Sequence, residues 1–315
     1  MVLTSNVEIV EVGPRDGLQS ESHLVPTAVK VDLIERLLAA GVRRLEVASF
    51  VDPRKVPQMA DAEQVLAELP TRADCRYVGL VLNRKGFDRA LSAGCHEIGM
   101  VVSASDMFSR RNQGIGAEDS LTVWRQIASA ARAAGVRAQV TIAAAFGCPY
   151  EGEVAVARVV DIACRVAEDD PIEIALADTI GVGVPAQVTE LVGRVHAAMP
   201  RMALRGHFHN TRNTGIANAQ AALQAGISVL DASVGGLGGC PFAPGASGNI
   251  ATEDLLYLLE RSGFRTGISL SGVLDTSRWL QQQLGRPLPG MLMKAGTFPP
   301  AHPPPALDLC RTPTP

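Results

Sequence analysis

Eight side chains in this sequence have types and settings suited to chemistry. They are Arg15 and Asp16 in G-P-R-D-G, Glu46, Asp178 in A-D-T-I-G, His207 and His209 in H-F-H, and Cys240 and Asn249 in G-G-L-G-G-C-P-F-A-P-G-A-S-G-N. Histidines two residues apart on a strand face the same side. Two imidazoles with the Asp16 carboxylate and the Asn249 amide oxygen make a mixed nitrogen–oxygen ligand set. Such a set suits Mg²⁺, Mn²⁺ or another octahedral divalent ion, with positions left for water and substrate. It lacks the thiolates of structural zinc.

Arg15, a permanent guanidinium beside that metal, is suited to stabilising an enolate oxygen. Glu46 reads equally well as its ion-pair partner. Asp178 is placed either in the site or as a cap for the helix that follows. Cys240 lies on a glycine-rich loop that allows close backbone approach. A thiol held over a cationic centre could exchange protons or act as a nucleophile. Cys75, Cys95 and Cys164 read as small buried hydrophobes, and Cys310 as incidental. His23, His96, His196 and His302 show no partners in the sequence and read as structural or surface residues.

The chain has only four lysines: Lys30 and Lys85 on predicted helices, Lys55 in a loop and Lys294 in the tail. None falls in a predicted strand, so a Schiff-base mechanism is disfavoured. A carbon–carbon bond reaction here would use a metal as electron sink.

The elements that must bring these residues together follow from pattern. Helical stretches end in small residues and glycine at Gly41, Gly94, Gly135 and Gly226, and a strand follows each. Predicted strands are Val7–Val12, Leu45–Ser49, Arg76–Val81, Glu97–Val102, Ala138–Ala143, Ile172–Ala177, Leu204–Phe208 and Ser228–Ser233. In the first helix Val29, Leu33, Ile34, Leu37 and Leu38 recur at helical spacing, with Thr27 as predicted N-cap. Eight strands alternating with eight helices make an α/β (β/α)8 TIM barrel over residues 1–265. An open doubly wound sheet is disfavoured, because no G-x-G-x-x-G follows the first strand. Residues 266–297 form a helical extension, with Val273–Leu284 as its helix. Residues 298–315 are a proline-rich tail expected to be poorly ordered. In such barrels the C-terminal strand ends carry the chemistry, which is where the eight side chains fall.

Composition narrows the function. The 315 residues are 47% hydrophobic and 19% charged, with a net charge of −3. That is ample for a core and argues against nucleic acid or a membrane surface as partner. No apolar run reaches the roughly 18 residues of a membrane span. Six scattered cysteines without C-x-x-C suggest a reducing compartment. The N-terminus shows no export or transit pattern, so a cytoplasmic location is expected.

Several longer motifs run in register: I-V-E-V-G-P-R-D-G-L-Q (Ile9–Gln19), S-F-V-x-P-x-x-V-P-Q-M (Ser49–Met59), G-C-P-Y-E-G (Gly147–Gly152), D-T-I-G-V-G (Asp178–Gly183) and G-L-G-G-C-P-F-A-P-G-A-S-G-N-I-A-T-E-D-L (Gly236–Leu255). Over roughly residues 5–265 the chain resembles the 3-hydroxy-3-methylglutaryl-CoA (HMG-CoA) lyase family. The resemblance implies a metal-dependent retro-Claisen cleavage of an acyl-CoA substrate to acetyl-CoA and acetoacetate. It implies Asp16, His207, His209 and Asn249 as metal ligands and Arg15, supported by Glu46, as enolate stabiliser. Cys240 becomes the loop acid/base, with His207 as an alternative proton donor, and Asp178 falls in the substrate site. The expected assembly is a homo-oligomer, dimer or tetramer.

The chain also departs from the family pattern. Asn210-Thr211-Arg212-Asn213-Thr214 stands where D-T-Y-G-Q is usual, and the segment before Gly147 is slightly longer. Ala175 and Ala177 stand where Ser and Gly are expected, and Ser22 where Lys is common. The metal and proton-transfer residues are intact, but the acyl pocket is altered. Arg212 either adds positive charge near a substrate carboxylate or faces solvent. Citramalyl-CoA, yielding pyruvate and acetyl-CoA, is therefore an alternative substrate. A condensing acyltransferase and a non-catalytic barrel that binds a CoA ester are the remaining readings.

Overall fold

Short apolar runs of β-forming residues, too short for helices, become eight parallel strands: β1 (Glu8–Glu11), β2 (Arg44–Ser49), β3 (Arg76–Val81), β4 (Glu97–Ser103), β5 (Arg137–Ala143), β6 (Ile174–Asp178), β7 (Leu204–Phe208) and β8 (Val229–Ala232). Each pairs with the next, and β8 pairs with β1, so the sheet closes into a barrel. These coordinates come from a computed structural model that describes residues 6–239 and 248–299. All eight predicted strands are present, with ends displaced by two residues at most.

The helices around them are α1 (Thr27–Ala39), α2 (Ala62–Glu68), α3 (Arg84–Ser92), α4 (Asp106–Gln113), α5 (Ala117–Ala134), α6 (Val156–Ala167), α7 (Pro185–Ala198), α8 (Gly215–Gln224) and α9 (Thr252–Arg261). The extension adds α10 (Leu270–Leu284) and α11 (Leu292–Ala295). Lys294 is thus helical rather than in an irregular tail. Leu33, Ile34 and Leu37 of α1 are fully buried against the barrel, as their spacing requires. Thr27 is not the N-cap. Pro26 holds that position, and Thr27 is the first helical residue, its hydroxyl donating to Asp61. Gly41, after α1, has φ +101°, and a Cβ there would lie 2.6 Å from the Gly267 carbonyl oxygen. The helix-to-strand turn therefore needs glycine.

TIM-barrel interiors are usually filled by branched apolar side chains. This one holds a chain of buried charges. Arg44 on β2 pairs with Glu97 on β4 and, at 2.6 Å, with Glu173 just before β6. Arg205 on β7 contacts Glu173 at 3.2 Å and Asp231 on β8 at 3.3 Å. These charges are tolerable in a low dielectric because each faces an opposite partner.

A second buried group joins the first strand to the last. Oε1 of Glu11 accepts from the backbone N–H of Gly13 and of Val234, and Oε2 accepts from the Thr252 hydroxyl. Beside it, Glu253 Oε2 accepts from the N–H of Gly235. The segment that carries Arg15 and Asp16 is thereby tied to the turn after β8.

Burial pushes the carboxyls of Glu11 and Glu253 up to about 7. A raised carboxyl favours the protonated form in the folded state. The stability it allows is full below the ordinary value of 4.5 and declines as pH rises through about 7. We expect Glu253→Gln to melt above the wild type at about pH 8, with the gap closing towards about pH 5. A gap that widens on acidification in calorimetric scans would contradict the assignment.

Candidate metal centre and active site

Strand β1 ends in a π-helical turn, Gly13–Gly17, rather than an irregular loop. Such turns are rare and concentrate at functional sites. It turns Arg15 and Asp16 over the barrel mouth. Arg15 Nη1 donates to Asp16 Oδ1 at 2.7 Å, and its Nε donates to Glu46 on β2. Glu46 and Arg15 are thus the ion pair that the sequence allowed. The pair fixes the guanidinium, leaving its charge directed into the site.

His207, in β7, and His209, just beyond it, lie on one side of the strand with ring centroids 5.1 Å apart. Asp16, His207 and His209 each offer one ligand atom, all within 4.8 Å of one another. Asn249 reaches the same place from a different segment. Residues 248–251 run along the ends of β7 and β8, with Asn249 bridging His209, Asn210 N–H donating to Gly248, and Ser233 paired with Ala251. Asn249 Nδ2 donates to Asp16 Oδ2 at 2.8 Å and to the Leu237 carbonyl. Its amide oxygen is spared by both bonds.

The donor set fits a divalent cation. Burial alone would raise the Asp16 carboxyl, but Arg15, His207, His209 and the Asn249 bond hold it at about 2, so it is ionised at neutral pH. Burial and the charge of His207 push His209 down to about 4, so its imidazole is neutral and has a free lone pair. Nδ1 of His209 is buried without a hydrogen-bond partner among the described residues, as expected of a ring awaiting a ligand.

Burial lowers His207, but the Asp231 carboxylate outweighs it, and the net shift is upward. Asp231 itself is held below the usual carboxylate range, burial being outweighed by Arg205 and His207. Its Oδ2 is therefore an acceptor, and the 2.9 Å contact takes the Nδ1–H of His207. That tautomer presents Nε2 to the centre.

Asp178 is the last residue of β6, and its two oxygens accept from the N–H groups of Val182 and Gly183 at 2.9 Å. It organises the loop ahead of α7, and burial raises its carboxyl against those bonds. Arg212 is exposed, as the solvent-facing alternative had it, and is anchored to the loop after β6. Its Nη1 donates to the carbonyls of Ile180 and Gly181 at 3.0 Å, clamping that same loop. Asn213, at the position where the family pattern has glycine, has φ +60°, a conformation asparagine tolerates. The longer segment before Gly147 contains Ala144 at φ +55°. Cys240 lies outside the described residues. His96 has a partner the sequence did not reveal: its Nδ1 accepts from the Tyr77 N–H, and its ring stacks on Tyr77. Glu11 and Asp231 were also missed. For Asp231 the signal was a charged residue inside an otherwise apolar strand.

His209→Ala should fold normally and lose most of its affinity for Mn²⁺, read by calorimetric titration and by metal content after dialysis. Unchanged metal content would remove His209 from the ligand set.

The comparisons with known proteins agree with this geometry. The family model described as HMGL-like matches residues 6–280. The (R)-citramalyl-CoA lyase of Chloroflexus aurantiacus is 46% identical over 92% of this chain and 95% of its own. The hydroxymethylglutaryl-CoA lyase of Pseudomonas mevalonii is 44% identical over 89% of this chain and 93% of its own. Among solved structures, an HMG-CoA lyase from Acinetobacter baumannii in complex with coenzyme A and 3-methylmalate superposes with a TM-score of 0.91. It is 39% identical, with 97% of this chain and 100% of that one covered. With a family model spanning most of its length and relatives well above 40% identity, the chain belongs to the HMGL-like family.

Proposed function

We propose that this protein is a metal-dependent carbon–carbon lyase that cleaves 3-hydroxy-3-methylglutaryl-CoA to acetyl-CoA and acetoacetate. One observation carries the proposal: Asp16, His207 and His209 converge within 4.8 Å beside the Arg15–Glu46 pair, at the mouth of a barrel of this family. Asp16, His207, His209 and the amide oxygen of Asn249 would hold a divalent cation, Mg²⁺ or Mn²⁺ by ligand type. When bound, it supplies Lewis acidity towards the substrate hydroxyl and so eases its deprotonation.

The protein's own groups do the rest. Asp231 keeps the proton on Nδ1 of His207 and so keeps Nε2 available. Arg15, held by Glu46 and Asp16, stands ready for the negative charge that develops on the acetyl-CoA enolate when the bond breaks. Cys240, on the glycine-rich loop, is assigned the proton transfer to that carbanion, with His207 as the alternative. Asp178, bonded to the loop after β6, shapes the substrate side of the mouth. The proposal is of a cytoplasmic homo-oligomer. Among the described residues no helix is long and apolar enough to cross a membrane.

The second reading is cleavage of citramalyl-CoA to acetyl-CoA and pyruvate. A specific observation favours it: a citramalyl-CoA lyase is among the relatives at 46% identity. Ala175 and Ala177, both buried on β6, also mark a changed acyl pocket. Purified protein with Mg²⁺ and each CoA ester should release acetyl-CoA and acetoacetate from the first. Pyruvate from the second ester alone would transfer the proposal to the second reading. Silence with both would leave a condensing acyltransferase or a CoA-ester-binding barrel.

Cys240→Ala should keep its fold and metal content while turnover falls by about a thousandfold or more, the upper range for one acid–base group. Full activity in that variant would end the acid–base assignment.

A further inference from the structure

The barrel interior contains a polar side chain that the mechanism above does not use. Gln139 is the third residue of β5, and with Thr141 it faces the barrel axis while Val140 and Ile142 face the helices. It is 1% exposed. Neither its Oε1 nor its Nε2 has a hydrogen-bond partner among the described residues. It is the one side-chain amide of which both atoms are left so, among those residues. Buried polar groups are normally paired, and one left unpaired is a cost to the fold.

Its neighbours leave room for a partner. Gly99 of β4 lies opposite Gln139 in the parallel register. A Cβ built on Gly99 would stand 3.7 Å from Gln139 Nε2 and 3.7 Å from Glu46 Oε2. Gln139 and the carboxylate that holds Arg15 thus flank the same interior space. On the other side Thr141 lies opposite Ala175, which lies opposite Arg205, while Ala177 lies opposite His207. Glycine and two alanines therefore leave this part of the interior without bulk, with Ala177 directly beside His207.

The groups of the proposed substrate can be allotted in turn. Its hydroxyl falls to the Asp16–His207–His209 centre and its thioester oxygen to Arg15. The free carboxylate, at the end of the acyl chain remote from sulfur, is left. Beside that space the Gln139 amide has both its donor and its acceptor atom unpaired among the described residues. Its two N–H donors suit a carboxylate without adding charge beside the already paired Arg205. We propose that Gln139 binds the free carboxylate of the acyl group and sets this chain's selectivity for dicarboxylic CoA esters. The inference rests on the lyase reading above for the identity of the substrate, but not for its test.

The test is direct binding, by calorimetry, of esters that cannot be cleaved because they lack the hydroxyl: glutaryl-CoA and succinyl-CoA against butyryl-CoA and propionyl-CoA. Gln139→Leu should weaken the first pair by about tenfold or more, the range for a hydrogen bond to a charged group. It should leave the second pair within about twofold. Its thermal midpoint should equal or exceed that of the wild type, since an unpaired buried amide is replaced by an apolar group of similar shape. Gln139→Met, of nearly the same length, gives the same reading if Leu packs poorly. Equal losses for both pairs, no loss for either, or a lowered midpoint in both variants would overturn the proposal. A wild type that binds the dicarboxylic esters in this Gln139-dependent way but cleaves no 3-hydroxyacyl-CoA would sink the lyase reading alone.

Discussion

The contact between Asp231 and His207 is the constraint on which the site depends. It is the last link of a buried sequence of charges that runs through the barrel from Arg44 and Glu173 to Arg205 and Asp231. Removing one member would leave its neighbour charged and unpaired in a low dielectric, at a cost of about 3–5 kcal/mol. The sequence of charges therefore holds the strands in register. Its upper end fixes the tautomer and orientation of His207, a candidate metal ligand. Stability and ligand geometry are served by the same interaction, so neither can drift without the other.

A second constraint closes the ring of segments. The candidate ligands follow β1 and lie in and just beyond β7, strands that are not neighbours, with β8 between them. The gap is spanned by Glu11, which holds Gly13 and Val234 together, and by residues 248–251, which lie along the ends of β7 and β8. The Asn249–Asp16 bond then draws the first and last parts of the barrel onto one point. The π-helical turn at Gly13–Gly17 belongs to this arrangement. A regular strand end would not deliver Arg15 and Asp16 to two different partners from adjacent positions.

The strand pattern was readable in the sequence because short apolar runs between glycine-ended helices admit one architecture at this length. The convergence of Asp16, His207 and His209 was readable because H-F-H on a strand and G-P-R-D-G after one both fall at a barrel's C-terminal end. What stayed hidden is informative in each case. Thr27 looked like an N-cap by residue type, yet its hydroxyl is committed to Asp61. Arg212 was open to either a substrate or a solvent-facing role; it is exposed, and two backbone carbonyls also accept from it. The partners of Arg44 lie 53 and 129 residues away. No periodicity reports such separations. Cross-barrel pairing is a property of closure, not of local pattern.

The composition of the interior also accounts for where chemistry can occur. A barrel filled by branched aliphatic layers has no polar floor, and its chemistry sits at the strand ends and the loops that follow them. Here the lower interior is stabilised by ion pairs among Arg44, Glu97, Glu173 and Arg205, which occupy the volume those layers would fill. Above them the small residues Gly99, Ala175 and Ala177 keep the space open, and polar groups face it from β2, β5 and β7. Side chains on strands are held more rigidly than those on loops, which favours a fixed orientation for His207. Division of labour by height along the barrel axis thus follows from which residues the interior can pair and which it must leave for a ligand.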